Sequence, residues 1–77
     1  MADADNSDAY SVRRDAAVAG DLAGFIAFLE AQGKRFSSAT AAEIAQHKLR
    51  TACTGLPEVM REASRVWLLE RGHRPWE

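Results

Sequence analysis

Apolar positions recur along most of this chain at helical spacing. Leu22, Phe25, Ile26 and Leu29 fall at i, i+3, i+4 and i+7, one stripe of a helix. Asp21 stands ahead of them as an N-cap and Gly33 behind them as a stop, so the spacing predicts a helix over 21–32. Its other side is unusual. Ala23, Ala27 and Ala31 form an i, i+4, i+8 ridge with Gly24 beside it, and Glu30 is the only charge between Leu22 and Gln32. A solvent-facing side normally carries charge. This helix is therefore expected to be contacted on two sides, either within the monomer or at a dimer seam.

Later segments repeat the pattern with clear punctuation. Thr40-Ala41-Ala42-Glu43 matches a capping box, in which the Thr hydroxyl accepts from the N3 amide and the Glu reaches back to the cap amide. A helix over 41–53 follows, with Ala41, Ala45, Leu49, Ala52 and Cys53 on one face and Gly55 as its stop. Pro57 suits the first position of another helix, where a missing N–H is harmless. Leu56, Val59, Met60, Ala63, Val66 and Trp67 then share a sector of about 120° at about 100° per residue, which predicts a strongly amphipathic helix over 57–71. Gly72 ends it and Pro75 forbids its resumption. A weaker helix over 8–19 starts at Ser7 or Asp8 and stops at Gly20. No alternating β-branched run and no Asn-Gly or Asp-Gly hairpin occurs. The expected fold is all-α: a compact bundle of about four short helices, roughly 8–19, 21–32, 41–53 and 57–71. Residues 1–7 read as a disordered acidic lead, and 8–77 as a single helical domain.

Composition sharpens this picture. Fifteen of the 77 residues are alanine, the best helix former, whose small side chain lets helices approach closely. A chain this short buries only about 60% of its unfolded surface, so stability is marginal without a staple or a partner. Cys53 is the only cysteine, which rules out an intrachain disulfide and suits a reducing cytoplasm. The first residues are acidic and no apolar core follows them, unlike a secretory signal. The longest unbroken run of large apolar residues, Val66 to Leu69, is far short of the roughly 20 residues that span a bilayer. A soluble, cytoplasmic protein is expected, with no membrane partner. Residues 1–8 carry Asp3, Asp5 and Asp8 and no base; the rest hold ten Lys/Arg against eight Asp/Glu, a surplus of two. That is well below the strongly basic face of most nucleic-acid binders.

Candidate chemistry is sparse. His47 falls on the polar side of its helix with Glu43 one turn earlier, which reads as a solvated surface histidine. His73 sits between Arg71 and Arg74, whose charges disfavour a general base. Cys53 lies about 120° around an ideal helix from His47, so it reads as a buried core thiol rather than one half of a Cys–His pair. The five glycines are too scattered for a phosphate loop, and no acidic cluster has metal-ligand spacing. A chain this small also struggles to enclose a pocket of several hundred Å3. The sequence therefore points away from an enzyme, and it implies no cofactor and no metal.

What remains is surface. With Val59, Met60, Ala63, Val66 and Trp67 filling the apolar stripe of the last helix, Leu68 projects about 140° from its centre and Leu69 falls on the other flank. Four consecutive large apolar residues exceed what one stripe needs, and Trp76 adds an aromatic beside Arg71 and Arg74, an interface-like composition. The expectation is a small regulatory, protein-binding module, of the kind bacteria and phages encode beside a larger partner. It would act as a homodimer or in a hetero-complex through Arg65, Leu68, Leu69, Arg71, Arg74 and Trp76. An accessory subunit of a larger enzyme is a further alternative.

Basic residues supply the other alternative, a DNA-binding module using Arg13, Arg14, Lys34, Arg35, Lys48 and Arg50. Most basic residues have acidic neighbours at helical spacing, as Glu58 has Arg61 and Glu62 has Arg65, which fits ordinary surface pairing. Tyr10 with Arg13-Arg14-Asp15, the run Phe25 to Gly33, Ser38 to Ile44 and the closing Val66 to Gly72 together resemble the N-terminal core-binding domain of tyrosine recombinases. That resemblance covers about half of the chain and implies a four-helix module that clasps DNA. Two intervals depart from that family's spacing: Asp15 to Phe25 is longer and Leu49 to Met60 shorter. Ala41 to Ala45 is also similar to the first helix of a helix-turn-helix, although Pro57 stands where a recognition helix would begin.

Overall fold

Capping side chains and left-handed glycines set half of the eight helix ends. In the computed structural model, which describes residues 2–74 and the side chains of residues 9–74, four helices follow one another: α1 (Ala2–Ala19), α2 (Leu22–Glu30), α3 (Ala39–Ala52) and α4 (Glu58–Glu70). No strand occurs among the described residues, and the all-α bundle expected from the periodicity is the fold observed. Asp21 caps α2 as the sequence implies, its carboxylate accepting from the Gly24 amide at 2.9 Å. Gly33 and Gly72 take φ of +89° and +79°. At each, two backbone bonds close a Schellman turn: the Lys34 and Gly33 amides donate to Leu29 and Glu30 carbonyls, and those of His73 and Gly72 to Leu68 and Leu69.

Two boundaries differ from expectation. α1 begins at Ala2 instead of near residue 8. The cap of α3 is Ser38, whose hydroxyl accepts from the Ala41 amide at 3.0 Å, so the Thr40–Glu43 capping box does not form. Both hydroxyls make good caps, but starting at Ser38 adds backbone hydrogen bonds to the helix before Thr40 is reached.

The core forms where the end of α1, the start of α2 and the α3–α4 turn meet. Val18, Phe25, Cys53 and Leu56 are buried together, with Leu22, Leu29, Phe36, Leu49 and Met60 packed around them. Phe25 is fully buried and its ring lies 5.9 Å from that of Phe36. Cys53 takes the core position expected of it. Helices α3 and α4 run antiparallel, with His47 beside Ser64 and Thr51 beside Arg61. Between α1 and α3 the contact is polar. Gln46 Nε2 donates to the Val18 and Gly20 carbonyls at 3.1 and 2.9 Å, and Arg50 donates to the same two from Nε and Nη2 at 2.7 and 3.0 Å. One turn of α3 thereby satisfies carbonyls that the end of α1 leaves without helical partners.

The face that α4 buries is not its most apolar one. Its fully enclosed residues are Ser64, at 1% exposure, and Leu68, at 0%. This arc centres about 120° around the helix from the stripe that periodicity selects. Val59 is 79% exposed, Val66 and Ala63 are also exposed, and Met60 and Trp67 are partly covered at the edge. The expectation that Leu68 projects away from the core is thus corrected. α4 carries more apolar residues than one interface can cover, so facing groups on α3 decide which arc turns inward. His47 meets Ser64 and Trp67 there.

The expected second contact side of α2 is not supplied within the monomer. Ala23, Ala27 and Ala31 are exposed, while Phe25 points inward.

Candidate functional site

On the outer side of α4, Val59, Ala63, Val66 and Leu69 occupy successive turns within an arc of about 120°. Three of them are large apolar residues left open to solvent, with Leu69 at 51% exposure. Ion pairs border this face, Arg61 with Glu58 at 3.1 Å and Arg65 with Glu62, and the Glu62 side of the second pair stands within the arc between Leu69 and Val66. Both follow the i, i+3 pairing anticipated from the sequence. Exposed pairs of this kind add little stability, but they hold the charged heads beside the apolar strip.

The residues expected to bind a partner are only partly brought together. Leu69 lies on the outer face and Arg65 on its flank, whereas Leu68 is core. Arg71 turns back over Trp67, its guanidinium carbon 4.1 Å from the ring centroid and Nη1 donating to the Trp67 carbonyl at 3.1 Å. Arg74 is exposed after Gly72. Trp76 lies outside the described residues. Val59, Ala63 and Val66 were assigned to the core by periodicity, so the pattern alone missed them as surface. The signal available was the surplus of apolar residues on α4.

The six basic residues of the nucleic-acid alternative are partly engaged elsewhere. Arg50 is committed to the end of α1, Arg14 pairs with Asp15 at 3.1 Å, and Lys34 lies over the Phe36 ring at 5.8 Å. Arg13 and Arg35 are exposed.

At the α3–α4 seam His47 is half-buried, not a solvated surface group. Its Nδ1 shares a hydrogen bond of 2.9 Å with Ser64 Oγ, and its ring stacks on Trp67 at 3.9 Å. The contact has the composition of a Ser–His pair, yet Ser64 is enclosed between the helices, so its hydroxyl does not open toward a substrate. Burial pushes His47 below the ordinary histidine pKa; Arg50 and Arg71 push the same way, and Glu43 opposes them. The Cys53 thiol is held above its ordinary value chiefly by burial, partly offset by Arg14. It therefore stays a protonated core group. Among the described residues no three His, Cys, Asp or Glu side chains gather where they could hold a metal ion. No helix there is long and apolar enough to cross a membrane.

The histidine carries a pH consequence. Because its folded pKa is depressed, the unfolded chain takes up the proton first, near pH 6.5. Its contribution to stability is complete above that pH and is lost as pH falls through 6.5 toward the folded value. Urea unfolding at pH 7.5 and 5.5 is expected to show a larger loss for the wild type than for His47→Gln; equal losses would exclude this linkage.

Compared with known proteins, the chain matches no family model, no curated protein and no solved structure, so its half-chain likeness to a recombinase domain gains no support.

Proposed function

We propose that this protein is a small, non-enzymatic binding module that works through the outer face of α4, pairing with a second copy or with an apolar helix of a larger partner. One observation carries the reading: α4 turns Met60, Ser64 and Leu68 toward α3 and leaves Val59, Ala63, Val66 and Leu69 uncovered. Three of the molecule's five exposed large hydrophobics lie on this one strip, among the described residues. Exposed large apolar residues gathered on one helix side are a usual mark of a protein–protein contact, and here Glu62 and Glu70 stand among them within the same arc. Arg65 flanks the strip and Leu69 extends it, and both belong to the surface expected from the sequence.

The test pairs Val66→Glu and Leu69→Glu with an off-face control, Val12→Glu. The wild type and the control should be dimeric by light scattering at tens of micromolar, and both α4 variants monomeric. If the wild type is monomeric, it and the control should capture a partner that the α4 variants lose. A monomeric wild type whose captured proteins match those of the α4 variants would overturn the proposal.

A further inference from the structure

A second feature lies on the opposite pair of helices and does not depend on the α4 reading. Where α1 and α2 run side by side, an open surface pocket of about 300 Å3 is lined by Tyr10, Arg13, Phe28, Ala31 and Gln32. Its cause is local. Ala31 is too short to fill the space between the helices, and Tyr10 and Phe28 wall it with rings whose centroids are 6.0 Å apart. The wall is pinned in place: the Tyr10 hydroxyl donates to Gln32 Oε1 at 2.9 Å, and Gln32 Nε2 donates to the Phe28 carbonyl at 3.2 Å. These bonds employ the Tyr10 hydroxyl as a donor and both ends of the Gln32 amide. Arg13, in contrast, is exposed on the rim and makes no hydrogen bond or ion pair with any described side chain. Its neighbour Arg14 has taken Asp15.

We infer that this pocket binds a small aromatic carboxylate, the ring lying against Tyr10 and Phe28 and the acid group on the Arg13 guanidinium. The chemistry is complementary in both halves. Two aromatic walls favour a flat apolar body, and an uncommitted guanidinium favours a planar anion with which it can form a bidentate pair. A neutral aromatic leaves the guanidinium without a partner, and a small anion such as acetate leaves the rings uncovered. The volume is at the lower end for ligand pockets, which fits one ring system. Because Tyr10 and Gln32 are already fixed, little ordering is needed on binding.

Indole-3-acetate serves as the probe, read by backbone amide shifts in two-dimensional NMR at low ionic strength. A ligand of this size in an open pocket should bind with a dissociation constant of about 1 mM. The shifts should centre on Tyr10, Arg13, Phe28, Ala31 and Gln32. Arg13→Gln, an exposed substitution that leaves the core intact, should weaken binding at least about fivefold, and tryptophol, the neutral alcohol, should bind the wild type at least fivefold less tightly. The inference is overturned if indole-3-acetate at 20 mM shifts none of these amides. Equal binding of acid and alcohol, or equal binding by wild type and Arg13→Gln, overturns it too. All of these outcomes leave the α4 proposal untouched, since none of the five residues lies on α4.

Discussion

Leu68→Ala should lower the unfolding free energy by about 2–5 kcal/mol, the range for deleting a buried leucine side chain. Leu68 is fully enclosed between α4 and the rest of the bundle, so its removal leaves a cavity as well as losing transfer energy. A domain of this length has only about 4–12 kcal/mol in total, so the variant stands near the edge of folding. Leu69→Ala, one residue on, supplies the contrast. Half of Leu69 is already exposed, and its truncation should cost under about 1 kcal/mol in the monomer. Urea denaturation of both variants by far-ultraviolet circular dichroism, at a protein concentration below any self-association, separates them. Equal losses would mean that α4 does not sit with Leu68 inward, and the exposed strip would go with it.

That contrast also marks how far the sequence could be read. The helices were legible because their signals are local: Asp21 as a cap, Gly33 and Gly72 as left-handed stops, and i, i+3, i+4 spacing in α2. The capping box at Thr40 was a reasonable local signal that lost to Ser38, an equally competent hydroxyl two residues earlier. The inward face of α4 was not legible, because it depends on α3. Periodicity finds the arc with the largest apolar content, whereas packing chose the arc in which Ser64 meets His47 and Leu68 closes the seam. His47 was misplaced for the same reason. Its polar side chain reads as surface until the partner helix is known. At the candidate site, the apolar surplus was visible and its owner was not: Leu69 lies on the outer face, Leu68 is core, and Val59 and Val66 moved the other way. The α1–α2 pocket gave no sequence signal, since it arises from a short side chain at Ala31 facing Tyr10 and Arg13 across a helix pair.

The polar clamp between α3 and α1 should prove the most cooperative element of the fold. Gln46 and Arg50, one turn apart on α3, each donate to the Val18 and Gly20 carbonyls. Gln46 is buried to 3% exposure, so Gln46→Ala removes two hydrogen bonds and opens a small void, at about 2–3 kcal/mol. Arg50→Ala removes charge-assisted bonds near the end of a helix whose carbonyl dipoles favour a cation. That guanidinium is partly solvated, and about 1–2 kcal/mol is expected. Either single change leaves each carbonyl with one donor. Only the double variant takes both donors from both carbonyls at once, and the Val18 carbonyl lies in a buried part of the chain. The combined loss should therefore exceed the sum of the singles by about 0.5–1.5 kcal/mol, a coupling measured by a double-mutant cycle in urea. Additivity within about 0.3 kcal/mol would show that the two side chains act independently. In that event α1 is held to the bundle by Val18 and its apolar neighbours, and the four hydrogen bonds merely replace water.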